Sequence, residues 1–437
     1  MLMYRKLPLL LLFLLTVSLS TVRAQFTLTG EIRPRVEFRN GFKTISRASD
    51  DPAAFIEQRS RLYFVYKQDK MKFNLTLQDV RIWGNVSQIF KEDPALSNVY
   101  EAWVVYYFYV AFLVKAGRQA LNYDNARFLG NLAWAQQARS HDALLFKYEG
   151  KSGLKAHLGG AFNQNVPFEP GKLSGTFYSG VNNYKTMQYL WLHKAFDKTA
   201  KLSALIFNDG RQTIKNAGTP DADTTMSYRQ TYGVLGSTKL GNIKLDGEFY
   251  YQGGQNAAGV DVDAFLGSFS ATYKTNLTPL TIGFDYVSGT NQNVDGSVSG
   301  KDNSFNPLYG TNHKFYGLMD YFYVGNGFSN VGLIDIFFKT KFKLSKKAAL
   351  IAHYHHFESE ATIPGQDANS LGDEIDLVFN LNLAKGANLK IGYSQMFATD
   401  AMGVIKGRTA NTNDFNNWAW VMLTIKPTLF TTKKKNQ

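Results

Sequence analysis

The stretch GEIRPRVEFRN, residues 30–40, sets Glu31, Arg33, Arg35, Glu37 and Arg39 on alternate positions, with Ile32, Pro34, Val36 and Phe38 between them. Successive side chains of a β-strand point to opposite faces, so an extended chain sorts these residues into one charged and one apolar face. On a helix the same spacing scatters charge around the whole cylinder. The segment is therefore read as a strand with one side in water and the other in an apolar medium.

The pattern repeats along the chain. Leu62, Phe64 and Tyr66 alternate with Arg59, Arg61 and Lys67; Leu144, Phe146 and Tyr148 alternate with Lys147 and Glu149. Ile243, Leu245, Phe249 and Tyr251 oppose Lys244, Asp246 and Glu248, and Ile375, Leu377, Phe379 and Leu381 oppose Glu374, Asp376, Asn380 and Asn382. A lysine or arginine facing lipid near the midplane costs about 2–4 kcal/mol. The charged set must face water, and a closed barrel with an aqueous lumen and a lipid-facing wall satisfies both faces and every backbone group.

The spacing of the runs carries the same message. Tight turns are read near Asp69, within Ala102 to Val114, and at 150–153, 197–199, 240–242, 276–279, 345–347 and 385–388. The second has no Gly, Asn, Asp, Ser or Pro to set it. Longer connections fall at 40–55, 83–99, 119–141, 164–185, 209–227, 253–261, 288–330, 358–372 and 398–415. Eight turns and nine loops join 18 strands, with both chain ends on the short-turn side. That asymmetry is that of an outer-membrane barrel, with short periplasmic turns and longer extracellular loops. The fold class is thus all-β, a closed antiparallel transmembrane β-barrel of about 18 strands. Tyr106, Tyr107, Trp191, Trp418 and Trp420 are expected in its interfacial aromatic girdles.

Arg5 and Lys6, the apolar run Leu7 to Leu15, and Val22 and Ala24 before Gln25 form the n-region, h-region and cleavage site of a secretory signal peptide over residues 1–24. The barrel is expected over 25–430 and a short basic tail over 431–437. Removing 1–24 takes away Arg5, Lys6 and Arg23 and no acid, so the formal charge falls from +13 to +10. Cysteine is absent, which excludes a disulfide scaffold and thiolate metal sites. The basic residues are scattered over many strands, so nucleic acid is not an expected partner.

Residues 101–148, EAWVVYYFYVAFLVKAGRQALNYDNARFLGNLAWAQQARSHDALLFKY, and 305–322, FNPLYGTNHKFYGLMDYF, resemble the alginate-export family of outer-membrane barrels, of the type found in Bacteroidetes. GRQALNYDNAR and ARSHDA are the most specific parts, and YYFYVAFLVK departs from the pattern where a polar turn is expected. The resemblance implies a monomeric 18-stranded barrel whose basic lumen passes an anionic polysaccharide without a cofactor. By motif match, Arg118, Asp124, Arg127 and Arg139 resemble the family's lumen or constriction residues, and Arg59 and Arg61 do so by context.

The alternation adds Arg33, Arg35, Arg39, Arg81 and Lys147 to the expected pore-lining set. Such a wall concentrates anions, and guanidinium forks grip carboxylates in pairs. Glu31, Glu37, Asp79 and Asp124 are expected to order the arginines. The expected function is passive, anion-selective passage of an acidic, alginate-like oligo- or polysaccharide; a general small-anion porin and a barrel enzyme acting on lipid or glycan are the alternatives. No enzyme activity, cofactor or metal is expected, and the expected partners are an anionic saccharide or other small anions and outer-membrane lipid. Ser140, His141 and Asp142 are consecutive and cannot converge as a triad on a strand. His353 and His355 share a face with His356 opposite, and are read as wall residues; Asp221 and Asp223 lack the rest of a calcium loop. The longest loop, 288–330, is expected either to fold into the pore mouth or to pack on itself outside, and Phe305, Tyr309, His313 and Tyr316 in it are candidates for stacking on sugar rings.

Overall fold

A computed structural model describes residues 24–85, 97–164, 184–216, 218–221, 223–292, 300–323, 330–413 and 415–432. The expected signal peptide, but for Ala24, and residues 433–437 of the expected tail lie outside the described residues.

The chain folds into β1 (Gln25–Asn40), β2 (Ala53–Gln68), β3 (Met71–Ile82), β4 (Ser97–Tyr107), β5 (Phe112–Gln119) and β6 (His141–Glu149). There follow β7 (Leu154–Phe162), β8 (Thr186–Ala195), β9 (Ala200–Lys215), β10 (Asp223–Leu240), β11 (Ile243–Gly254), β12 (Ala264–Lys274) and β13 (Pro279–Val287). After the long loop come β14 (Leu333–Lys343), β15 (Ala348–Glu358), β16 (Ser370–Ala384), β17 (Ala387–Ala398), β18 (Asn416–Ile425) and β19 (Thr428–Thr431). From β1 to β18 each strand pairs antiparallel with its sequence neighbour, and β18 and β19 both pair with β1. The last two are pieces of one stave interrupted at Lys426–Pro427, where proline cannot donate to the ladder. The result is a closed 18-stave barrel. Thr431, expected to begin the tail, ends β19, and Thr432 donates its backbone N–H to the Phe26 carbonyl at 3.0 Å.

All eight expected turns form. The one without turn residues spans 108–111, where Tyr109 and Phe112 exchange backbone hydrogen bonds of 3.4 and 3.2 Å and Phe108, Tyr109 and Val110 stand exposed. The 209–227 connection is shorter than expected, because β9 and β10 pair as far as Lys215 and Asp223.

Alternation sets the two faces. Ile32, Val36 and Phe38 of β1 are exposed while Glu31, Arg33, Arg35 and Glu37 are buried inside. Exposed leucine and phenylalanine are tolerable only against acyl chains, which the outer wall provides. In β4 the register slips so that Tyr100 is an extra, buried residue, and Val99 and Val104 both face out. Three expected girdle residues turn inward: Trp191, Trp418 and Trp420 are buried, whereas Tyr106 is exposed on the outer wall. The Trp418 indole donates to Glu37 at 2.9 Å and that of Trp191 to Asp124 at 2.8 Å, so both find acceptors only on the lumen side.

Candidate functional site: the lumen and its inward loops

Two loops turn into the lumen and contact its wall. The first, 120–140, leaves β5 and crosses the barrel before entering β6. Three arginines on the inner face of β1 and β2 hold one side of it by its carbonyls. Arg33 donates to Ala133 at 2.8 Å, to Trp134 at 2.9 Å and to the Gln136 side chain at 2.8 Å. Arg35 donates to the Trp134 carbonyl at 3.2 Å and lies 4.3 Å over its ring, and Arg59 donates to the Ala133 carbonyl at 3.3 Å. Gln78 of β3 reaches Gln137 at 3.1 Å. An irregular segment inside a barrel has no ladder to pair its carbonyls, and a guanidinium with five donors is the side chain that satisfies several at once.

Carboxylates hold Arg35 and Arg59 in turn. Glu31 accepts from Arg59 at 2.5 Å and from the Tyr63 hydroxyl at 2.6 Å. Glu37 lies between Arg35 at 2.7 Å and Arg39 at 2.8 Å, and Glu57 also pairs with Arg35. Arg61 is held by Gln78 at 2.8 Å and covers the Tyr100 ring at 3.7 Å.

Arg127 anchors the other side of the loop. It donates Nε to Glu248 at 2.7 Å and both terminal nitrogens to Asp285 at 2.8 Å, and it reaches the Tyr316 hydroxyl at 3.0 Å and Ser268 at 3.1 Å. Burial acts to lower the affinity of this guanidinium for its proton, but Asp285 and Glu248 outweigh it and hold Arg127 charged well beyond its ordinary value. Asp124 accepts from Trp191 and, at 2.6 Å, from Ser203, which fixes the loop to β8 and β9. Asp124 and Ala126 adopt φ of 52° and 69°, so the backbone around Arg127 is held in the left-handed region.

The second loop, 303–323, lies against the first. Leu129 and Tyr309 form a parallel bridge, Gly130 N–H donates to the Tyr309 carbonyl at 2.9 Å, and Arg139 donates to the Gly310 carbonyl at 3.0 Å. A Cβ on Gly310 would stand 2.0 Å from the Arg127 carbonyl oxygen. Of the two expectations for this loop, the inward fold is the one observed. Phe305, Tyr309 and Tyr316 are buried and pack on other rings, and His313 stacks on Trp134 at 4.6 Å. None of the four presents an open face for a sugar.

Two of the expected pore-lining residues lie elsewhere. Arg118 shares its parity with the exposed Phe112, pairs with Asp142 at 2.9 Å and is 43% exposed, which puts it on the outer rim. Arg81 shares parity with Phe73 and Leu77 and pairs with Asp79 at 2.7 Å on the same outer side. Both stand at the loop ends of their strands, where a long side chain reaches the headgroup level. Lys147 faces inward, 4.0 Å from Glu149. His141 faces inward to the Tyr184 hydroxyl at 2.8 Å while Asp142 faces out, so Ser140, His141 and Asp142 do not converge.

On the short-turn side of the loops lies a vestibule of about 550 Å³. Lys201, Lys244, Lys314 and Lys339 line it together with Arg127, Asp246, Glu248 and Asp285. Burial and the neighbouring Arg127 push the Lys314 ammonium down from its ordinary value, and it donates to the Asn125 carbonyl at 2.9 Å. These lysines were not among the expected site residues, although Lys244 lies on a charged face that the alternation had picked out.

The barrel is similar to solved outer-membrane structures. It superposes on OccAB4 of Acinetobacter baumannii with a TM-score of 0.61 at 10% identity, covering 93% of this chain and 99% of that one. For OpdL of Pseudomonas aeruginosa the values are 0.60 and 12%, covering 93% and 99%. For a BenF-like porin of Pseudomonas fluorescens Pf-5 they are 0.59 and 13%, covering 92% and 99%. No curated protein sequence matches the chain. These likenesses are of fold alone; the architecture taken with the family match over residues 24–415 places the protein in the outer membrane as a channel-forming barrel. Its sequence matches the alginate export family over residues 24–415, nearly its whole length, and the chain belongs to that family.

Proposed function

We propose that this barrel is a passive, anion-selective channel for an acidic oligo- or polysaccharide of the alginate class. The observation that carries the reading is the division of cationic labour in the lumen: arginines brace the constricting loops, and lysines line the vestibule beneath them. A lysine is a flexible point charge on a long stem, suited to the weak, repeated contacts that conduction needs. A carboxylated sugar polymer presents a charge on each ring and meets such a wall without a single tight site. One chain supplies a complete pore in this reading, since the barrel closes on itself through β1 and β18.

Planar-bilayer recording tests the proposal. Under a potassium chloride gradient the reversal potential takes the sign of anion preference, and changing Lys201, Lys244 and Lys314 together to Glu moves it toward cation preference. Short oligouronates added to one side block the chloride current transiently. A reversal potential that favours potassium in the unmodified protein, or one unmoved by the triple change, defeats the reading. The second reading, a general small-anion porin, is favoured if anion preference holds and oligouronates leave the current untouched.

A further inference from the structure

Separated from β1 by the staves β17 and β18, the inner face of β14 to β16 carries a different cluster. In the β15–β16 ladder His353 stands directly opposite Asp376, and His355 opposite Glu374. Opposed residues of an antiparallel pair hold their Cβ atoms about 4.5–5.5 Å apart, so these four side chains form one patch. One ligand atom from each of His353, His355 and Asp376 lies within 4.8 Å of the others.

The surroundings orient this patch. His355 is buried, and its Nδ1 is 2.9 Å from both carboxylate oxygens of Asp335. A neutral imidazole that donates from Nδ1 keeps its lone pair on Nε2, and a carboxylate behind a histidine in this way is the usual support of a metal-binding imidazole. Asp376 is set by Ser394 at 2.5 Å and, more weakly, by the Leu318 N–H at 3.3 Å. Glu374 accepts from the Met319 N–H at 2.8 Å with one oxygen, while the other has no hydrogen-bond donor among the described residues.

Charge points the same way. Asp335, Glu374 and Asp376 are buried on this stretch of wall with Lys339 beside them on β14, while Glu248 and Asp285 nearby are already paired with Arg127. With the carboxyl groups ionised, the surplus is negative, and buried charge must be neutralised by protons or by a cation. An entry path exists, because His353 is half-buried and lines the vestibule.

We propose that His353, His355 and Asp376 form a binding site for a divalent transition-metal cation of the zinc class, with a fourth position open to the vestibule. Two imidazoles and one carboxylate suit zinc and its first-row neighbours, whereas calcium and magnesium call for oxygen cages. Lys339, paired directly with His353 across the β14–β15 ladder, opposes the incoming ion and holds the affinity down. Because Asp376 and Glu374 also hold Leu318 and Met319, the ion would tie the wall to the inward loop 303–323.

The test uses the full chain, purified in detergent without a polyhistidine tag and stripped with a chelator. Titration with zinc chloride followed by calorimetry, and with cobalt chloride followed by visible absorption, is expected to show one equivalent bound. His353→Gln and His355→Gln each weaken binding at least about tenfold, the range expected for loss of a ligand or its support. His356→Gln, on the opposite face with Asp373 and Glu358, leaves it unchanged, and Lys339→Gln strengthens it. Absence of stoichiometric zinc binding by the unmodified protein overturns the proposal, as does binding that survives His353→Gln or is lost in His356→Gln. Should the buried His355→Gln variant fail to migrate as a folded barrel on unheated gels, His353→Gln decides.

Discussion

Replacing Arg127 with Met removes the charge that ties the first loop to the far wall while keeping most of the side chain's length. The lost contacts are those to Glu248 at 2.7 Å, to Asp285 at 2.8 Å on two nitrogens, to Tyr316 and to Ser268. Both carboxylates are buried, so the variant leaves them without their cation. Removing one partner of a buried pair costs about 3–5 kcal/mol. That cost falls on docking of the loop, since Arg127 lies outside the strand ladders that close the barrel. At about 1.4 kcal/mol per factor of ten, the ratio of docked to undocked loop falls by roughly two to three and a half powers of ten. Single-channel recording should then show a larger mean conductance and frequent transitions between levels, while unheated gels still show a folded barrel. Arg127→Lys keeps a charge but not the fork, and should fall between the two. A folded Arg127→Met barrel with the conductance and quiet trace of the unmodified protein refutes the reasoning, because the loop would then be held by something other than this ion cluster.

Gly310→Ala pushes a methyl against the Arg127 carbonyl, which no flexible side chain can yield to, so the two inward loops must separate; proteolysis within 120–140 or 303–323 should accelerate, and unchanged cleavage counts against the contact. Burial pushes the Lys406 ammonium, which donates to the Tyr321 carbonyl, down to about 7 from an ordinary 10.5. Between those limits the docked loop binds fewer protons than the undocked one, so docking of 399–413 strengthens as pH rises through that window and is weakest below it. Hydrogen exchange in that loop, corrected for its intrinsic rate, should show more protection at about pH 9.5 than at 7.5, and Lys406→Met should remove the difference. Arg118→Ala breaks an exposed pair worth about 0–1 kcal/mol and should leave both stability and ion selectivity unchanged; a shift in reversal potential would place Arg118 in the ion path after all.

The barrel was legible because lipid enforces a strict period. Residues 30–40 could face two solvents in only one way, and the same alternation recurs in β2, β6, β11 and β16. Even the turn at 108–111, with no turn residue of its own, followed from its neighbours. Misplaced side chains have local causes. Trp418 and Trp420 sit in NNWAWVMLTI, where Trp, Met, Val and Leu occupy both parities, so the apolar side cannot be told from the segment alone. Charge alone points Arg81 and Arg118 into the pore, whereas their parity with Phe73, Leu77 and Phe112 points outward. The loop partners of Arg33, Arg35 and Arg127 were not legible, because an irregular segment has no period and its contacts are selected across 99 to 158 residues of chain.

The choice between arginine and lysine in the lumen follows from what each must hold. A loop entering a pore brings carbonyls in several directions at fixed positions, and the planar guanidinium meets them with little loss of freedom once Glu31 and Glu37 have set its orientation. Such an arginine is committed; an arriving carboxylate would have to displace two or three existing hydrogen bonds, each made by a charged group and worth about 1.5–3 kcal/mol. The ammonium of Lys201 on the vestibule wall sits on a stem that can follow a moving charge and release it. Charge-reversal at the arginines should therefore disturb the shape of the constriction, and charge-reversal at the lysines its selectivity; the two effects separate as conductance and reversal potential in one recording.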